Sequence, residues 1–120
     1  MRFAHVTISV RHLDESLHFY EKIIGLPVVR RFPAGPGREI VFLGNNNETE
    51  IELISGAPEN TTFGQGISLG FAVASLDETI RFLQDNGISV GEVLQPNPSV
   101  KMTFVTDPDG LRIQFIEQAE

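Results

Sequence analysis

Cysteine is absent from the 120-residue sequence. That excludes a disulfide framework, a thiolate nucleophile and any cysteine-ligated zinc or iron–sulfur site. Basic residues are few, nine Lys+Arg against 16 Asp+Glu, for a formal net charge of −7. Recognition of nucleic acid generally takes a basic stripe that displaces counterions from phosphates. Here the only clustered cations are Arg30, Arg31 and, across a short loop, Arg38. Nucleic acid and anionic membranes are therefore poor partners. Long hydrophobic runs are missing too: no stretch approaches the ~18 apolar residues of a membrane span. No basic segment with an apolar run precedes the first strand, so the expectation is a cytoplasmic protein.

What remains is ordinary for a globular domain, with 41% hydrophobic and 21% charged residues. The length predicts one domain with a sizeable core. Within it the chain is written twice. "VRHLDESLHF", from Val10 to Phe19, matches "VASLDETIRF", from Val73 to Phe82, with five of ten positions identical at an offset of 63. After this segment the offset becomes 62, matching Gly25 to Gly87, Val28 to Val90, Pro36 to Pro98, Phe42 to Phe104 and Ile51 to Ile113. Agreement sustained over that distance predicts two modules, about 1–58 and 64–120.

Each module reads as βαβββ. An alternating strand ("HVTISV" or "SLGFAV") leads into a helix with apolar residues at Leu13, Leu17, Tyr20 and Ile24, or at Leu76, Ile80 and Leu83. Ser75 with Glu78 forms a capping box, whereas His12 at the matching position is a weaker cap. Gly25 and Gly87 fall where a left-handed C-terminal residue is wanted. Three strands follow in each half: about 27–32, 39–44 and 49–55, then about 89–94, 100–106 and 111–117. Pro, Gly, Asn and Asp mark their junctions.

Four positions stand out. His5 lies on the polar face of the first strand, opposite the apolar face of Ala4, Val6, Ile8 and Val10, and its counterpart is Ser68. In the last strand of each half, Glu52 between Ile51 and Leu53 corresponds to Gln114 between Ile113 and Phe115. A carboxylate so flanked needs a partner or an open cleft.

The duplicated βαβββ pattern, the opening "HVTISVRHLDESLHFYEKIIGL", "IELI" and the closing "DPDGLRIQFIE" resemble the vicinal oxygen chelate superfamily over essentially the whole chain. That group includes glyoxalase I, bleomycin-binding proteins and extradiol dioxygenases, and glyoxalase I is nearest in layout. The resemblance implies an α+β fold in which two βαβββ modules form an open, cup-shaped mixed sheet with a helix outside each module. It implies a divalent metal (nickel, zinc, manganese or iron) at the positions of His5, Glu52, Ser68 and Gln114. A glyoxalase typically has His and Glu at the last two.

With His5, Glu52 and Gln114 left as metal ligands and Ser68 a poor replacement for imidazole, affinity is expected to be reduced. Glyoxalase-type isomerisation needs a carboxylate to move a proton. Since an amide cannot accept one, Glu52 is the expected catalytic residue. Thr7, Ser9, Ser68 and Gly70 are the expected substrate-pocket residues, because small side chains on the leading strands leave volume that a closed barrel would fill.

Two activities fit. One is a metal-dependent lyase or isomerase of the lactoylglutathione lyase type. The other is a metal-free protein of the bleomycin-resistance type that sequesters a small molecule. A homodimer is expected, with the modules paired within a chain or across the dimer. Arg30, Arg31 and Arg38, flanking "PAGPG", read either as a solvated loop or as a positive rim for an anionic substrate.

Overall fold

The computed structural model describes residues 1–62 and 64–119. The chain divides into two compact units, Met1–Thr61 and Thr62–Glu120, and each repeats one plan. The first contains β1 (His5–Val10), α1 (Leu13–His18), β2 (Val28–Pro33), β3 (Glu39–Leu43) and β4 (Glu50–Ser55). The second contains β5 (Ser68–Ala72), α2 (Leu76–Asp85), β6 (Leu94–Asn97), β7 (Val100–Thr106) and β8 (Arg112–Gln118). Among the described residues no helix is long and apolar enough to cross a membrane.

Each unit forms a four-stranded mixed sheet, ordered β1-β4-β3-β2 in the first and β5-β8-β7-β6 in the second. The leading strand runs parallel to the last one, and the other pairings are antiparallel. Registers repeat as well as topology. His5 stands opposite Glu50 and Thr7 opposite Glu52; in the second unit Ser68 stands opposite Arg112 and Gly70 opposite Gln114. The two sequence offsets therefore carry over to strand pairing residue by residue. This is the α+β arrangement of two βαβββ modules that the repeat implies.

Alternation sorts each sheet into an apolar face and a mixed face. In the first unit Ile8, Val10, Val41, Leu43, Ile51 and Leu53 are buried together with Phe19, Tyr20 and Leu26 from the helical segment. In the second, Leu76 and Leu83 of α2 are buried with Val105, Ile113 and Phe115. Ser75 accepts a hydrogen bond from the Glu78 amide at 3.2 Å, whereas His12 makes no side-chain cap. Ser75→Ala should cost about 1 kcal/mol, the usual worth of an N-cap, read as a lowered urea midpoint at unchanged slope. Glu117 adds a cap from the sheet, accepting from the Leu76 amide at 2.7 Å.

The first helix departs from its apolar pattern. Ser16, Phe19 and Tyr20 are buried, while Leu13, Leu17 and Ile24 are only half-buried. After His18 the chain widens into a π-helical turn over Phe19–Ile23, with the Ile24 amide bonded to the Phe19 carbonyl at 2.9 Å. An i→i+5 turn shifts the inward face relative to a straight 3.6-residue helix, so two adjacent aromatic residues both enter the core. Phe82, the repeat partner of Phe19, stays 45% exposed on the regular α2. Both helices end at left-handed glycines, Gly25 at φ +91° and Gly87 at φ +75°.

The strand expected at about 89–94 is displaced and occupies Leu94–Asn97 instead. Residues 88–93 still lie along β7, held by the Gly91 amide on the Phe104 carbonyl at 3.0 Å. The buried Thr103 hydroxyl takes the Gly91 and Glu92 carbonyls at 3.0 and 3.2 Å. A side chain thus occupies the acceptors that a neighbouring strand would use. At "DPDG" the buried Asp107 accepts from the Asp109 and Leu111 amides, each at 2.9 Å, which fixes the β7–β8 turn by side-chain mimicry of a backbone bond.

Candidate functional site

The mixed face of the first sheet gathers polar and aromatic side chains in one row. Across the strands run Thr7, Glu52, Phe42 and Arg30, paired in that order by register. Glu52 is buried, and its carboxylate is partnered on two sides. The Thr7 hydroxyl donates to Oε1 at 2.5 Å. The His5 Nε2 lies 3.5 Å from the same oxygen. Glu52 thus meets the requirement set by its apolar neighbours through partners rather than bulk solvent. Its side chain keeps 12% exposure against 40% for His5, so the imidazole forms the outer half of the pair.

Phe42 anchors this arrangement. Its ring takes the edge of His5 at 5.5 Å and stacks with Phe32 at 6.2 Å. The Arg30 guanidinium lies 3.8 Å over it while forking onto Glu50 at 3.0 and 3.1 Å. The aromatic floor therefore orients His5, and Arg30 neutralises Glu50, leaving Glu52 as the carboxylate turned to the imidazole. The alternation of β3 is enough to place Phe42 on this face, but its role depends on side-chain packing that no spacing reveals. The Thr7–Glu52 bond is equally invisible to spacing, which marks Thr7 only as a small pocket residue.

The corresponding face of the second unit carries no carboxylate in that row. Gly70, Gln114 and Phe104 repeat Thr7, Glu52 and Phe42 by register. The Gln114 amide donates to Met102 Sδ at 3.1 Å, and its Oε1 would lie 2.9 Å from a Cβ built at Gly70. The room left by Gly70 is thus used by the Gln114 amide oxygen. Ser68 is exposed, and Arg112, opposite it, lies 4.1 Å over Phe104.

A metal would need donors beyond the His5–Glu52 pair, since among the described residues no group of three or more His, Cys, Asp or Glu side chains converges. The pair itself has suitable chemistry. Two ligand atoms each ~2.1 Å from a tetrahedral ion stand about 3.4 Å apart, close to the 3.5 Å between Nε2 and Oε1. It supplies two donors, one of them charged.

Ser9, two residues beyond Thr7 on the same face, lines a separate hollow of about 350 Å³ with Ile54, Ser55 and Arg38. His12 and His18 do not join the row: His12 pairs with Glu59 at 3.2 Å, and His18 is exposed on α1.

The chain has relatives among known proteins. Residues 2–115 match the model of the Glyoxalase/Bleomycin resistance protein/Dioxygenase superfamily. A protein of Synechocystis sp. named probable lactoylglutathione lyase is 31% identical, covering 98% of this chain and 95% of its own length. A lactoylglutathione lyase of Neisseria meningitidis is 27% identical, covering 98% and 91%. The crystal structure of a glyoxalase family protein from Enterococcus faecalis superposes with a TM-score of 0.79 at 26% identity, covering 97% of both chains.

Proposed function

The chain belongs to the glyoxalase/bleomycin resistance protein/dioxygenase superfamily, and from that membership we propose that it is a glyoxalase-like lyase or isomerase acting on a small molecule with a divalent metal. The observation that carries this reading is the His5 Nε2 and Glu52 Oε1 pair, 3.5 Å apart on a sheet face. His5 and Glu52 would hold the ion, and Gln114 is the third ligand on the family's plan. Such an ion would supply Lewis-acid stabilisation of negative charge on a substrate oxygen.

The chain's own residues account for the rest. Glu52 takes a proton from the hydroxyl-bearing carbon of an α-hydroxy carbonyl substrate, the C–H electron pair moving toward the adjoining carbonyl, and returns it to the former carbonyl carbon while the hydroxyl proton passes to the other oxygen, a redox-neutral shift. Thr7 holds the carboxylate in place by its 2.5 Å hydrogen bond. Gln114 cannot accept a proton, so one carboxylate serves both transfers. The working form is a homodimer on the same family plan.

Stoichiometric uptake of nickel, zinc, manganese or iron by dialysed protein tests this reading. His5→Ala and Glu52→Gln should each weaken the ion by about tenfold or more, the loss of one ligand or its charge. Elemental analysis that finds no bound ion in the wild-type protein after exposure to all four metals overturns it. A second reading, a metal-free binder, is favoured by the uncharged row of Gly70, Gln114 and Phe104 in the second unit, where the Gln114 amide is engaged by Met102 at 3.1 Å. Binding of an aromatic or heterocyclic compound that EDTA leaves unchanged selects that alternative.

A further inference from the structure

Three arginines flank the β2–β3 hairpin, and the structure separates them. Arg30 is held by Glu50 at 3.0 Å. Arg31 pairs with Glu39, a contact that raises the guanidinium's pKa and holds the Glu39 carboxyl below its ordinary range. Arg38 differs: its guanidinium has no ion pair or hydrogen bond with any described residue. Its backbone is nonetheless fixed, the amide donating to the Gly35 carbonyl at 3.2 Å and the carbonyl accepting from Ala34 at 2.9 Å.

Two hollows of about 380 and 350 Å³ flank Arg38, and Ser55 lines both. The larger also contains Glu39, an anion. Among the described residues that line it, the smaller has no acidic one and adds the hydroxyls of Ser9 and Thr61. Neither hydroxyl is engaged by a described residue. Ser55 Oγ accepts from the Glu39 amide at 2.8 Å, which leaves its hydrogen free to donate outward. Gly56 borders the same space at φ +96°, a backbone state that favours glycine, and even a Cβ there would lie only 3.8 Å from Arg38 Nε.

We propose that Arg38, with the hydroxyls of Ser9, Ser55 and Thr61, forms a subsite for an oxyanion group, a carboxylate or a phosphate, carried by the ligand of this protein. A planar guanidinium fork that lines one hollow with three hydroxyl-bearing residues suits either group. The overall charge of −7 does not draw anions, so recognition must be local. Ser9 lies two residues from Thr7 on the same strand face, roughly 7 Å away. The ligand therefore carries its charge at least that far from the group presented to Glu52. This inference deepens the proposed function and rests on its assignment of the ligand to this face, but anion binding does not require metal or turnover.

The test titrates the full-length protein with inorganic phosphate and, separately, succinate, following amide chemical shifts in the presence of EDTA. Saturable shifts at Ser9, Ser55 and Gly56 are expected. Arg38→Gln should weaken binding about tenfold or more and Arg38→Lys by less, since lysine keeps the charge but not the fork. Arg81→Gln, which removes a charge from exposed α2, should leave it unchanged. Tighter phosphate binding assigns a phosphorylated ligand, and tighter succinate binding a carboxylated one. Absence of saturable binding by either anion, or equal weakening by Arg38→Gln and Arg81→Gln, overturns the subsite. Failure of metal uptake with anion binding intact would refute only the metal-dependent reading.

Discussion

Leu53→Ala is expected to lower the stability of the protein by about 3–4 kcal/mol, within the usual range for a buried leucine cut to alanine. Leu53 is fully buried at the centre of β4, opposite Ile8 on β1 and Val41 on β3. Both neighbours are themselves buried strand residues, set in hydrogen-bonded ladders that limit collapse into the space left behind. The lost methyl groups therefore leave a cavity as well as forfeiting their transfer energy. Ile54→Ala, one residue along on the mixed face, is the matched control. Ile54 is half-buried and should cost less than about 1.5 kcal/mol, because relaxation and water can fill its place. Urea unfolding followed by circular dichroism separates the two. Equal costs would mean that the two faces of this sheet are not the core and the open side assigned to them.

The same contrast between faces shows what the sequence makes legible. Period-two alternation and the two offsets are sufficient for β1 and β7, whose observed bounds equal the expected ones, and for the shared register of both modules. Backbone pairing is a repeating constraint, so a repeated sequence exposes it. Features that rest on one side chain stay hidden. The Thr103 hydroxyl on the Gly91 and Glu92 carbonyls displaces β6, and nothing about threonine in a strand announces that choice. The π-helical turn that brings Phe19 inward leaves no periodic mark over five residues. Among the arginines, sequence offers one undivided cluster. Only geometry shows that Arg30 and Arg31 are spent on Glu50 and Glu39 while Arg38 faces a hollow. At the candidate site, His5 and Glu52 are identifiable from strand face and flanking residues, but Phe42 as the floor beneath them is not.

Ser68→His combined with Gln114→Glu should produce the largest functional change. Strand register makes these residues the second-unit counterparts of His5 and Glu52: Ser68 pairs with Arg112 as His5 pairs with Glu50, and Gly70 pairs with Gln114 as Thr7 pairs with Glu52. The double change supplies an imidazole and a carboxylate where a hydroxyl and an amide now stand, adding one unit of negative charge. Gln114→Glu is nearly isosteric, and the oxygen already directed toward Gly70 can be kept; the substitution sacrifices only the weak donation to Met102 sulfur. On the proposed four-position site, one nickel or zinc ion per chain should bind more than about a hundredfold tighter than to the unaltered protein, because two good ligands join two existing ones. Either single change should give much less than half of that gain in free energy, since ligands of one ion act together. Calorimetric titration reads affinity and stoichiometry at once. A second ion per chain, bound no tighter than the first, would show each His–Glu pair acting alone and would refute the shared site. No gain in either quantity, with circular dichroism unchanged, would refute the correspondence of Ser68 and Gln114 with the ligand positions of the first module.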